Sequence, residues 1–168
     1  MTMPTATAAK SASLPGTHIP LTQRTIELIK HLEGFVAQPA PDPVGLPTVG
    51  YGHQCIAPNC AELPHLPLTP ESAHSLLLND IASHALALAL SISPSVTMNP
   101  NQWGALVSWA YNVGSESVKH SALVKRLNAG EPPNMAVSQE LPKWNSVDGK
   151  RLPCLVIRRK KELALFFS

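Results

Sequence analysis

Glu33, Asp42 and Thr48 fall within one short, Pro-rich stretch, "EGFVAQPAPDPVGLPTVGYGH". Asp42 follows Glu33 by nine positions, and Thr48 follows Asp42 by six. Two carboxyls with a hydroxyl nearby have a definite chemical use. Cleaving a glycosidic bond takes one carboxyl to protonate the leaving oxygen and a second to handle water or the developing cation. The two must differ in protonation, and that difference comes from their surroundings. Glu33 falls in the last turn of an expected helix, where the partial negative charge of the helix end disfavours a carboxylate. Burial against Phe35 would act in the same direction. Asp42, in a polar turn, has no such reason to hold a proton. A plainer reading competes with this one. A Glu at a helix end is ordinarily a solvated charge, and an Asp before a proline is ordinarily a turn residue. Spacing alone favours the plainer reading.

The flanking pattern says what must position these groups. Thr22 is an N-cap signal, Ile26, Ile29 and Leu32 give one apolar helical face, and Gly34 is a stop. Prolines at 39, 41, 43 and 47 exclude helix from the next stretch. With "PTVGYG" they predict a short hairpin or small sheet over residues 42–53. If that element folds back over the helix C-terminus, Glu33, Asp42 and Thr48 converge on a cleft. Thr69 and Pro70 open a long helix reaching about Leu90. Asn99 and Pro100 open another, with Leu106, Trp109 and Ala110 on one face and Gly114 as its end. "SVKHSALVKRLNAG" predicts one helix stopped by Gly130, "NMAVSQELPKW" a short one, and Pro153 opens the last. Trp103, Trp109 and Trp144 belong to the expected core. Residues 21–168 therefore read as a single α+β domain with segregated elements. Residues 1–20, rich in Ala, Ser, Thr and Pro, read as a flexible tail.

Composition narrows the classes. The chain has 168 residues, enough for one domain with its own core. The net charge is +2, and the densest basic run is "RRKK" at 158–161, too short for a nucleic-acid arm, so no nucleic-acid partner is expected. No segment approaches the roughly 18–20 apolar residues of a membrane span. The N-terminus lacks the apolar core of a signal peptide. Cys55 and Cys60 enclose "IAPN", and the Pro58-Asn59 turn lets the two thiols meet. A disulfide, free thiols, or a metal site with His53 and His65 all stay open, although the spacing matches no standard zinc module. Cys154, beside Pro153 near a helix start, reads as a buried thiol.

Glu, eight residues, Asp, five residues and Thr, leading into "TVGYGH", resembles the signature of the phage-type lysozymes, glycoside hydrolase family 24. "LTPESAHSLLLND" resembles the family helix after the hairpin, "NQWGALVSWAYNVG" its central buried helix, and "LPCLVIRRKKELALF" its closing Arg-Arg helix. The four blocks run in order along nearly the whole chain. The Pro-rich hairpin and the Cys pair resemble the fungal-type branch of the family, and that resemblance implies a Cys55–Cys60 disulfide. The chain departs from the family pattern in "AQPAP", where an aromatic often precedes the Asp, and in the insert "CIAPNCAELPHLP".

The resemblance implies a lysozyme-like fold, predominantly helical with a small N-terminal β lobe and a cleft between lobes. It implies a muramidase, cleaving the β-1,4 bond between N-acetylmuramic acid and N-acetylglucosamine in bacterial peptidoglycan with no metal or other cofactor. Glu33 is then the general acid. Asp42 holds or activates the water, or stabilises the oxocarbenium-like transition state, and Thr48 helps place that water. An inverting outcome goes with a carboxyl separation on the order of 6.5–9.5 Å. Tyr51, Gln54, Tyr111, Asn112 and Ser121 correspond to substrate-binding positions of the cleft. His53 and Asp80 correspond to a structural ion pair tying the hairpin to the next helix. Arg158 and Arg159 either face a carboxylate near the acid or form a solvated stripe. The protein is expected to act as a monomer on cell walls after secretion or release. Rival readings are a chitin-active glycosidase and a non-catalytic glycan-binding module; the intact Glu33, Asp42 and Thr48 argue against the second.

Overall fold

The computed structural model describes residues 12–13, 19–42 and 45–168. β1 (Ala12–Ser13) pairs antiparallel with β2 (Pro20–Leu21), and α1 (Gln23–Glu33) follows. Thr22 caps α1, its Oγ1 accepting the Thr25 N–H at 3.2 Å. Gly34 stops the helix at φ 74°, a backbone state in which only glycine is unstrained, and so leaves Glu33 as the last helical residue.

β3 (Val36–Pro41), β4 (Pro47–Gly50) and β5 (His53–Gln54) form an antiparallel sheet in that order. The sheet begins upstream of the expected 42–53, because Pro39 and Pro41 lie within β3. An edge strand accommodates them, since a missing N–H there breaks no ladder bond. Asp42 closes the β3–β4 hairpin, with its N–H on the Leu46 carbonyl at 2.7 Å and its Oδ1 accepting the Leu46 N–H at 2.8 Å. Ala40 stands opposite Thr48 across the ladder.

The remainder is helical apart from one short strand pair. α2 (Pro70–Ser91) and α3 (Pro100–Val113) each open with a reciprocal cap, Thr69 with Ser72 and Asn99 with Gln102. α4 (Ser115–His120) and α5 (Ala122–Asn128) replace the single helix expected there. Ser121 takes an extended conformation (ψ 149°) and its Oγ accepts the Val124 N–H, so a good N-cap residue restarts the helix. α6 (Pro133–Glu140), the pair β6 (Ser146–Val147) and β7 (Lys150–Arg151), and α7 (Pro153–Phe166) complete the chain.

The architecture is the expected one, mostly helical α+β with a small sheet lobe. α3 is its axis: residues 103–110 are buried throughout, and α1, α2 and α7 pack around them. Gly104 permits the α1 approach, because a Cβ there would overlap Thr25 Oγ1. Trp103 and Trp109 are buried, and Trp144 meets Trp109 edge-on at 5.4 Å. Ile19 and Leu21 belong to the same core, so packing starts before the expected boundary at residue 21. The rest of the expected tail, 1–11 and 14–18, lies outside the described residues. Cys55 and Cys60 are bonded, with Cα atoms 4.6 Å apart. Joined sulfurs are not thiolate ligands, which takes both cysteines out of the metal alternative. Among the described residues, no helix is long and apolar enough to cross a membrane.

Candidate active site

Between the sheet lobe and the helical body lies a groove of about 580 Å³. Glu33 from the end of α1, Asp42 from the hairpin turn and Thr48 from β4 all line it, with Gln54, Tyr111 and Asn112. A further hollow of about 480 Å³ continues it past Gln54 toward His84 on α2. Residues from three separate elements thus reach one concave surface.

Glu33 is gripped from two sides. Arg158 Nη1 donates to its Oε1 at 2.6 Å. Opposite, Gly52 brings bare backbone so close that a Cβ would lie 2.9 Å from Oε2. Its φ of 86° also suits glycine alone, so the second glycine of "GYGH" meets two constraints at once. Phe35 is 42% exposed and packs on the Tyr51 ring, centroids 5.6 Å apart. Thr48 Oγ1 donates to the Ala40 carbonyl at 3.4 Å, inside the β3–β4 ladder.

Tyr111 and Asn112 are fixed by the end of α3. Tyr111 donates its hydroxyl to the Tyr51 carbonyl at 2.8 Å, and its ring meets the edge of His84 at 5.2 Å. Burial, with the Asp80 charge nearby, pushes the Tyr111 phenol well above its ordinary range, so it stays a protonated donor. Asn112 Oδ1 accepts from Arg159 Nη2 at 2.8 Å.

Two expected cleft residues are elsewhere. Tyr51 does not line the groove; its ring sits against Phe35 with Lys30 Nζ 5.4 Å from the centroid. Ser121 is buried, donating to the Val118 carbonyl at 2.7 Å while capping α5, and it too is absent from the groove wall. Cys154 reverses the expectation: it is exposed and lines the groove, because Pro153 starts α7 at the cleft margin. His53 Nδ1 lies 2.8 Å from Asp80 Oδ2, which joins β5 to α2. His53 Nε2 lies 3.5 Å from Glu62, whose carboxylate accepts the Ile56 and Ala57 N–H groups at 2.7 and 3.0 Å. Chiefly the Ile56 N–H holds Glu62 at about 2.

The sequence left Arg158 and Arg159 between two roles. Both are buried, and Glu162 beneath them is fully so. Glu162 Oε1 accepts from Arg158 Nε at 3.2 Å, Arg159 Nη2 at 3.1 Å and Ser108 Oγ at 2.8 Å. Glu162 Oε2 pairs with Arg159 Nε at 2.7 Å. Arg158 Nη2 donates to the Ser108 carbonyl at 3.2 Å. Burial pushes the Glu162 carboxyl upward, against the pull of both arginines. The available signal was helical spacing: Glu162 lies four residues from Arg158 and three from Arg159, on one face of α7.

Comparison with known proteins identifies the family. The family model described as phage lysozyme matches residues 30–162. The chain is 36% identical over 150 residues to an endolysin of Bacillus phage PZA, covering 88% of this chain and 55% of that protein. It is 34% identical over 152 residues to an endolysin of Acyrthosiphon pisum secondary endosymbiont phage 1, covering 88% and 98%. It therefore spans about half of the first relative and nearly all of the second. Among solved structures it resembles an endolysin from Escherichia coli O157:H7 phage FAHEc1, with TM-score 0.74, 29% identity and coverage of 90% and 96%. It also resembles the muramidase domain of SpmX from Asticaccaulis excentricus, with TM-score 0.74, 29% identity and coverage of 88% and 97%. The chain belongs to the phage lysozyme family, a family of glycoside hydrolases.

Proposed function

We propose that this protein is a muramidase that hydrolyses the β-1,4 bond between N-acetylmuramic acid and N-acetylglucosamine in bacterial peptidoglycan. The observation that carries this reading is the convergence of Glu33, Asp42 and Thr48 on one groove, from a helix end, a hairpin turn and a strand. Relatives described as endolysins, and a structural neighbour described as a muramidase domain, support the substrate class.

Glu33 donates its proton to the leaving glycosidic oxygen. Arg158, 2.6 Å away, then stabilises the carboxylate left behind, and the fixed rotamer avoids reorganisation during the step. Asp42, from the sheet lobe, holds the attacking water or stabilises the oxocarbenium-like transition state, with Thr48 helping to place that water. Attack from the face opposite Glu33 inverts the anomeric centre. Tyr111 and Asn112 shape the helical wall of the groove, where an aromatic ring and an amide suit a sugar face and an N-acetyl group. The protein acts as a monomer on walls to which it has been secreted or released, and its net charge of +2 favours an anionic substrate. The test compares wall lysis by wild type and Glu33→Gln, with the reducing-end sugar of the products identified. N-acetylmuramic acid ends and loss of lysis in the variant are expected. Retention of activity within about tenfold of wild type refutes the assignment of Glu33 as general acid.

A further inference from the structure

We infer that Glu162, which does not touch the groove, is a positioning residue that sets both the geometry and the charge state of Glu33 through Arg158. The inference rests on the proposed reading of Glu33 as general acid.

The geometry divides the Arg158 guanidinium into three separate tasks. Nε is held by Glu162, Nη2 by the Ser108 carbonyl, and Nη1 is left pointing at Glu33. Fixing two nitrogens of a planar group fixes the direction of the third. Ser108 Oγ in turn holds Glu162, so α3 is the rigid reference for the whole chain of contacts. Arg159 extends the same anchor to the groove, bonding Glu162 and, through Nη2, Asn112.

Charge gives Glu162 a second effect. Glu33, Glu162, Arg158 and Arg159 form a balanced set of two anions and two cations. A protonated Glu33 leaves that set with one excess positive charge. Without Glu162 the excess becomes two, and ionised Glu33 is favoured more strongly. The groups facing Glu33 are Arg158 in contact, Arg159 and Glu162 behind it on α7, Tyr111 on α3 and Asp42 across the groove. On α1 itself, Lys30 is turned toward Glu27 and Tyr51, and His31 meets Lys161. None of these replaces the buried charge of Glu162.

The experiment measures kcat, KM and the pH profile of wall hydrolysis for wild type, Glu162→Gln, Glu162→Asp and Ser108→Ala. Thermal melts and near-ultraviolet circular dichroism report folding. Glu162→Gln should lower kcat by about tenfold or more with KM within about threefold, since Glu162 itself does not line the groove. Its alkaline limb should move to lower pH by about one unit. Glu162→Asp keeps the charge and should restore the limb while kcat stays reduced. Ser108→Ala should lower kcat about threefold without moving the limb. If Glu162→Gln does not fold, Ser108→Ala and Glu162→Asp decide the question by the same readouts. Folded variants with wild-type kcat and pH profile, or with changes in KM alone, overturn the inference. Wild type that does not cleave walls overturns the underlying reading instead.

Discussion

The helical wall of the groove holds Glu33 against a continuous core, whereas the sheet wall holds Asp42 and Thr48 over a small cluster whose buried members, among the described residues, are Val49, Cys60, Leu68 and Ala73. Three short strands bury too little apolar surface to be stable alone. The sheet wall compensates with specific ties: the Cys55–Cys60 bond, His53 on Asp80, and Glu62 on the Ile56 and Ala57 amides. The helical wall uses burial and one buried charge network instead. Under the proposed mechanism, the group that gives the proton stands on the stiff wall, and the groups that handle water stand on the wall tied by local bonds.

Four changes test that contrast. Glu33→Gln should lower wall lysis by on the order of 10³-fold while circular dichroism shows the fold retained, as a general acid demands. Gly52→Ala strikes where the two walls meet. Its Cβ would press on Glu33 Oε2, and φ 86° strains any side chain. Lysis should fall by about tenfold, and stability by about 1–3 kcal/mol in a melt. The Cys55→Ser, Cys60→Ser pair should cost about 2 kcal/mol in the entropic account of so short a loop. Amide exchange should then quicken in β4 and β5 while α3 keeps its protection; equal loosening of both would erase the contrast. Asp80→Asn weakens a mostly buried hydrogen bond and should cost about 1 kcal/mol by chemical denaturation.

Acid adds a fifth test, confined to the sheet wall. Glu62 is held down to about 2 from an ordinary 4.5, so its folded form favours the carboxylate. Its contribution is present above 4.5 and is lost as pH falls toward 2. Amide exchange at Ile56 and Ala57 should rise through that window, and Glu62→Gln should remove this dependence.

Much of the frame was readable from local chemistry. Thr22, Thr69 and Asn99 cap helices through their own side chains, and Gly34 and Gly114 end them by backbone conformation, so the sequence states these boundaries directly. Ser121 shows the limit. A cap residue inside a helix-favouring run splits it only when packing requires a turn, and the run itself carries no record of that. Tyr51 and Cys154 failed for a related reason: an aromatic near a cleft and a thiol near a helix start have no fixed facing until neighbouring elements dock.

The sequence by itself determined the candidate site residues and the order of the elements that hold them, because side-chain types, caps and breakers act locally. Tertiary structure alone decided what faces Glu33. Phe35, two residues away, packs on Tyr51, while Arg158, 125 positions distant, holds the Glu33 carboxylate. It likewise placed Glu162 and Ser108 under the arginines, on helices far apart in the chain. Long-range pairing of this kind follows from the docking of α1, α3 and α7, where buried charges must find partners.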